Sequence, residues 1–220
     1  MIGPGPAARR AFILEHTRLE RPPHTPELQL HLATEMTPIW QMTEEALSEI
    51  GLPPPFWAFA WAGGQALARY VLDHPQVVAG KAVIDFAAGS GIVGVAAATA
   101  GAARVLCADI DGFCGPAIAL NAAANGVRVA FTDRDLLEAA APAWAEVILA
   151  GDICYEKPLA ERVMAWLAAA RARGAKVLIG DPGRSYFPRQ GLEKLAEYQV
   201  PTTRELEDMD VKKTAVWAIP

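Results

Sequence analysis

The sequence predicts an α/β fold, a largely parallel sheet covered by helices on both faces. Three observations point to it. From Lys81 onward the apolar runs "KAVIDF", "ARVLCAD", "VRVAFTD", "AEVILAGD" and "AKVLIGD" recur, each continuous rather than alternating, as a strand buried on both faces requires. Stretches of helical character separate them, which is the rhythm of βαβ units. Each run also ends at an aspartate: Asp85, Asp109, Asp133 (with Asp135 just after), Asp152 and Asp181. The carboxyl ends of the strands form the ligand crevice of an open parallel sheet, so the row of acids predicts a shared binding edge.

The first eighty residues lack strand periodicity and are expected to form a helical lead-in. "TPIWQMTEEALSEIG" predicts a helix over 37–51, with Thr37 as N-cap, Pro38 at the first helical position and Gly51 as the stop. "LPPPFWAF" breaks the chain, and "AGGQALARYVLDHP" resumes a helix with Leu67, Tyr70 and Val71 on one face and Pro75 beyond its end. After the fourth run, "KPLAERVMAWLAAARARG" carries the stripe Leu159, Val163, Leu167 and Ala170 and closes on Gly174. The tail differs: "TTRELED" and "TAVWAIP", joined by a polar turn, predict a final antiparallel pair. The chain is expected to be a single domain over 1–220, with an N-terminal helical extension over 1–75 and the α/β core over 76–220. At 220 residues it is long enough for a full core.

Composition narrows the function. Hydrophobic residues make up 52% and charged residues 20%, which marks a globular chain. The formal charge is −5 and no basic run stands out, so neither nucleic acid nor an anionic membrane is an expected partner. No apolar run approaches spanning length, and no secretory signal is visible at the N-terminus. Cys107, Cys114 and Cys154 show no paired spacing, and His16, His24, His31 and His74 are scattered. Neither set suggests a metal site, and the cytoplasm is the expected compartment.

The loop after the first run, "DFAAGSGIVG", places Gly89, Gly91 and Gly94 in a GxGxxG pattern, with Asp109 twenty residues beyond Gly89. That spacing fits a dinucleotide fingerprint. The crowd of acids on the same edge opposes it, because a pyrophosphate would be repelled. S-adenosylmethionine (S-adenosyl-L-methionine) carries no phosphate but offers a sulfonium, an ammonium, a ribose diol and an adenine, and it suits the acids better. On that reading Gly89, Ser90 and Gly91 pack against the amino-acid part, and Asp85 supports the loop or the ammonium. Asp109 accepts the ribose hydroxyls, and Asp135 lies near the adenine amino group.

Asp152 stands at the fourth strand end, where a transferred methyl should point, and Tyr155 follows it in "GDICYE". If the acceptor is an amine, it arrives protonated: with a pKa of about 10.4, a lysine is neutral about one part in a thousand near pH 7.4. A carboxylate cannot lower that pKa by attraction. Its expected service is to bind and orient the amine while the sulfonium and desolvation favour loss of the proton. The aromatic segment "PFWAFAW" supplies Phe56, Trp57, Phe59 and Trp61, which could cover the adenosine or line a lysine channel.

Taken together, "PFWAFAWAGGQALARYVLDHPQVVAGKAVIDFAAGSG", "ADIDGF", "GDICYE", "VLIGDPGR" and "TAVWAIP" resemble a known family. They are similar to the seven-β-strand protein methyltransferases with a (D/E)xx(Y/F) motif, and among these to the electron transfer flavoprotein β-subunit lysine methyltransferases. The resemblance runs from about Pro26 to the end, and "DPGR" and "FWAFAW" are its most specific parts. It implies a class I, Rossmann-like α/β/α sandwich with sheet order 3-2-1-4-5-7-6, and S-adenosylmethionine-dependent methylation of lysines on the flavoprotein β subunit. It further implies that Trp61, the Gly89–Gly91 loop, Asp109 and Gly151 contact the cofactor, and that Asp152 and Tyr155 form the acceptor site. Trp57, Phe59, Asp181 and Arg184 complete the candidate acceptor contacts. One departure is Ala87 and Ala88, where a glycine is commoner in the family. Another is the lack of the transit peptide that mitochondrial members carry, so a bacterial counterpart is expected. Two alternatives remain: another acceptor, such as a ribosomal protein or a small-molecule amine, or a non-catalytic nucleotide-binding module.

Overall fold

The computed structural model describes residues 5–34, 39, 54–188, 190–202 and 209–220. Eleven of the described strands and helices carry the core sheet and its cover. A seven-stranded sheet is built from β3 (Ala82–Phe86), β4 (Arg104–Ala108), β5 (Ala130–Thr132), β6 (Val147–Gly151), β7 (Lys176–Asp181), β8 (Glu193–Pro201) and β9 (Val211–Ala218). Its order is β5-β4-β3-β6-β7-β9-β8, with β3 to β7 mutually parallel and the last two antiparallel. Counted within the sheet, this is the expected 3-2-1-4-5-7-6.

Alternation along the strands sends side chains into two separate cores. Val83, Val147, Leu149 and Leu178 face one side, where they meet α2 (Ala62–Asp73), α3 (Ile92–Thr99) and α4 (Cys114–Ala124). Ile84, Ile148, Ala150, Val177 and Ile179 face the other, beneath α5 (Lys157–Ala172). Three layers result. The α5 stripe includes the expected Val163, Leu167 and Ala170, joined by Ala160 and Trp166, whereas Leu159 is only partly buried. The predicted helix after "PFWAF" is α2, with Leu67 and Val71 fully buried.

Two expectations need correction. The last antiparallel pair does not begin in "TTRELED": its first strand is β8, further upstream, and residues 203–208 lie outside those described. The charged, alternating sequence of β8 hides it from a search for apolar runs. That composition suits a sheet edge, where Glu197 lies 2.9 Å from both Lys194 and Lys213. The lead-in is also not wholly helical. After α1 (Pro6–His16) the short strands β1 (Arg18–Glu20) and β2 (Leu30–Leu32) pair antiparallel. The helix predicted over 37–51 falls almost entirely outside the described residues. Among the described residues, no helix is long and apolar enough to cross a membrane.

Side-chain amides fasten the lead-in to the core. Asn121, fully buried on α4, accepts from the His31 backbone N–H at 2.7 Å and donates to the Ser90 carbonyl at 2.8 Å. One side chain therefore joins β2 to the glycine loop. Asn125 repeats the device on Gln29, accepting from its N–H and donating to its carbonyl. Removing a partner strands a buried polar group, at a cost of about 1–3 kcal/mol. Asn121→Ala is expected to destabilise the protein by about that amount in urea unfolding, and to weaken cofactor binding through the loosened Ser90 carbonyl.

Candidate active site

The site forms where α2 meets the carboxyl ends of β3, β6 and β7. Two glycines in the first turn of α2 make that meeting possible. A Cβ on Gly63 would lie within contact distance of the Gly180 carbonyl and 2.7 Å from an Asp152 oxygen, and one on Gly151 would lie 3.0 Å from the Gly64 Cα. Helix backbone therefore rests directly on strand backbone. The Gly64 N–H, one of the unpaired donors at a helix start, reaches Asp152 Oδ2 at 2.8 Å.

Asp152 is held on every side. Its backbone is left-handed (φ 56°), which is unusual for a residue with a side chain. Its N–H donates to the Gly180 carbonyl at 3.0 Å. Oδ1 accepts from Arg184 Nε at 3.2 Å and from Nη2 at 2.7 Å. Arg184 is placed in turn by Asp181, whose Oδ1 accepts the Gly183 and Arg184 backbone N–H groups, each at 2.7 Å. Asp181 Oδ2 is buried without a hydrogen-bond partner among the described residues, and burial pushes the carboxyl up to about 7.

The glycine loop lies beside this pair. Gly89 and Gly91 both have positive φ, as does Ala87 (φ 53°). An alanine can hold that conformation only at a cost of about 1–2 kcal/mol. Asp109, at the end of β4, ties the loop down: Oδ2 accepts the Gly89 N–H at 2.9 Å and Oδ1 the Asp111 N–H at 3.0 Å. Asp85 is fully buried beneath it and accepts the Gly94 N–H at 2.8 Å. Burial above all, and then the nearby Asp109 charge, push the Asp85 carboxyl up to about 8 although the Gly94 bond opposes this. Asp135 caps a single turn of 3₁₀ helix, accepting from the Leu137 N–H, and lies 3.6 Å from Arg162.

Aromatic residues wall the cleft. Phe59, Trp61, Gly64, Asp85, Gly89, Ser90, Gly151 and Asp152 are among its lining residues. Phe56 stands 5.8 Å from both Trp61 and Tyr155, and the Arg184 guanidinium lies 5.7 Å from the Trp61 ring centre. Trp57 is not brought to the cleft. It is 2% exposed and stacks on Phe113 in the interior, the fate of most helix-spaced aromatics. Phe56, expected from the sequence as one of the aromatic cluster, is 45% exposed at the cleft. The glycines at the start of α2 escaped the sequence reading. Gly63 and Gly64 carried a signal: paired glycines inside a helix each cost about 1 kcal/mol relative to alanine and so imply a packing reason.

A glycine-rich strand-to-helix loop, an acid at the next strand end and a 3-2-1-4-5-7-6 sheet define a class I, seven-β-strand methyltransferase. The model of the family "Ribosomal protein L11 methyltransferase (PrmA)" matches residues 65–166. A Xenopus laevis protein, "Electron transfer flavoprotein beta subunit lysine methyltransferase", is 38% identical over 215 residues, covering 95% of this chain and 86% of that protein. The Homo sapiens protein of the same name is 35% identical, over 94% of this chain and 80% of its own. The chain belongs to this family of electron transfer flavoprotein β-subunit lysine methyltransferases. The fold is also that of magnesium protoporphyrin IX methyltransferase from Synechocystis PCC 6803, solved with bound SAM (TM-score 0.52, 14% identity, 71% of this chain and 78% of that one).

Two outcomes follow from the geometry. Gly63→Ala forces backbone against backbone and is expected to lower stability by about 1–3 kcal/mol or more, read as a fall in the denaturant midpoint. The second concerns Asp85. Its carboxyl titrates near 8 when folded and near 3.8 when unfolded, so between these values the folded state holds a proton that the unfolded state lacks. Stability contributed by Asp85 therefore declines as pH rises from about 4 to about 8 and levels off above that. Asp85→Asn keeps an acceptor for Gly94 without the proton, so its stability relative to the parent should improve steadily across this window in paired urea titrations.

Proposed function

We propose that this chain is an S-adenosylmethionine-dependent protein-lysine N-methyltransferase whose acceptor is the β subunit of electron transfer flavoprotein. The observation that carries the reading is the juxtaposition of Asp152 and the glycine loop in one cleft, in a chain 38% identical to a relative of that name. The residues present suit the cofactor. The cleft has small residues at Ala87, Ala88, Gly89 and Gly151, where a ligand can lie against backbone, and among the described residues its lining includes acids but no lysine or arginine. Such a surface favours a cationic ligand without phosphates. When bound, S-adenosylmethionine supplies an electrophilic methyl group on a sulfonium.

The chain's own groups then have distinct tasks. Asp109 would accept the ribose hydroxyls while keeping the glycine loop in place. Gly89, Ser90, Gly91 and Gly151 let the ligand lie against backbone, with Trp61 and Phe59 closing one side and Asp85 stiffening the loop from below. Asp135 and the exposed Ile110 would lie on the adenine side of the bound cofactor. Asp152 orients the acceptor amine, and Tyr155 walls its approach; partial burial raises the phenol's pKa, so it stays protonated at neutral pH. Asp181 and Arg184 belong to the acceptor side. The cytoplasm is the compartment we propose, where the three buried thiols stay unpaired.

A second reading, with a ribosomal protein as acceptor, draws on the match to the PrmA model over the catalytic half of the chain. Mass spectrometry decides between them. Purified electron transfer flavoprotein incubated with enzyme and S-adenosylmethionine should gain 14-Da increments (a CH₂ each, ~14) on β-subunit lysines, and an Asp152→Asn control should lack them. An unmodified flavoprotein beside a methylated ribosomal protein would move the assignment to the second acceptor. In calorimetry Asp109→Ala should lose about 10–100-fold in cofactor affinity, the worth of one or two charge-assisted bonds, while Asp152→Asn stays close to the parent.

A further inference from the structure

Asp152 cannot greet an incoming ammonium as a bare carboxylate, because Arg184 already faces it. The two side chains are only 19% and 11% exposed for Arg184 and Asp152, and their contact is 2.7 Å. The arginine is not a loose surface group that happens to lie there. Its backbone is fixed on Asp181 and its guanidinium lies against Trp61. A groove of about 240 Å³, lined by Tyr155, Pro182, Gly183, Arg184, Ser185 and Lys212, reaches the pair from its Arg184 side, while Asp152 lines the cleft.

We infer that Arg184 sets the charge of the acceptor site, compensating Asp152 so that the lysine is held there as a neutral amine. The inference rests on the lysine-methyltransferase reading above and deepens it. A lone carboxylate would bind the protonated amine tightly and withhold the nitrogen lone pair. With Arg184 in place the carboxylate still orients the amine through a hydrogen bond, but the site carries little net attraction for the extra proton. That proton leaves to water through the groove before attack. The nitrogen then forms the new bond to the methyl carbon as the sulfur–carbon bond breaks, and a second proton is shed from the methylated product when it must react again.

The other charged and titratable groups facing the pair do not replace Arg184. Asp181, on the same loop, and Asp109 and Glu156, which both act on Tyr155, are acids and add to the pull on a cation. Cys154 is a buried thiol held protonated by burial first and by Asp181 and Asp152 next. Lys212, across the groove on β9, has the right sign but stands at the groove wall, while the Gly64 N–H of α2 and the Trp61 ring just before it face the pair.

The test is the pH dependence of methyl transfer to the acceptor protein at saturating cofactor, for the parent, Arg184→Met and Arg184→Lys. For Arg184→Met the rising limb of kcat should move to higher pH by about one unit, which is about a tenfold loss of kcat near pH 7.5. KM for the acceptor should stay level or fall, because the uncompensated carboxylate binds the ammonium better, and cofactor affinity should stay within about twofold. Arg184→Lys should return most of the limb. Arg184→Gln, which keeps a hydrogen bond to Asp152 without the charge, reads the same limb if the methionine variant is too unstable. An unmoved limb in the neutral variants, or a loss confined to KM or to cofactor affinity, overturns the inference while leaving the function standing. A parent enzyme that methylates no amine overturns both.

Discussion

The contact between the first turn of α2 and the ends of β6 and β7 is the constraint on which the site depends. Helices normally stand off a sheet by the thickness of their side chains, but Gly63 and Gly64 on one side and Gly151 and Gly180 on the other remove those side chains. The backbones then touch, and a helix N-terminus, with its unpaired donors and positive end, is delivered to the carboxylate that closes β6. The same approach brings Trp61, the residue just before the helix, against the cleft. Glycines cost helix stability, and the geometry they permit is what the chain gains in exchange.

Electrostatics divides the row of strand-end acids into different kinds of group. Asp85 and Asp181 are withdrawn from water and their carboxyls titrate near neutrality, so each serves chiefly as an acceptor that fixes backbone: Gly94 for one, Gly183 and Arg184 for the other. Asp109 and Asp152 each accept from donors at the cleft, the Gly89 N–H for one and the Gly64 N–H and Arg184 for the other. Asp135 stands further out as a cap. A row that looks uniform in sequence is thus a support layer beneath a working layer. The distinction follows from how far each strand end is overlaid by neighbouring elements.

The lead-in illustrates how remote segments enter such a site without touching the ligand. Asn121 links β2 to the Ser90 carbonyl, so the glycine loop is braced from behind by a strand that lies ninety positions before Asn121 in the chain. Arg9 adds a bond to the Gly112 carbonyl on the loop that follows Asp109. Both contacts use side-chain groups that satisfy backbone in a loop, where no ladder can do so.

Much of this was legible in the sequence. Continuous apolar runs, the glycines after β3 and the acids at the strand ends give the layer order and the edge at which those acids gather, because burial and backbone conformation act locally and leave a local signature. The strand β8 was missed for the same reason, since an edge strand held by its neighbour needs no apolar run. Trp57 and Trp61, four positions apart in one aromatic segment, were equivalent in sequence. Tertiary structure alone sends one into the core against Phe113 and the other to the cleft. It alone pairs Arg184 with Asp152 as well, thirty-two residues apart. An ion pair of that separation has no periodicity to announce it; it exists because two adjacent parallel strands end side by side, and only the folded sheet decides which ends are adjacent.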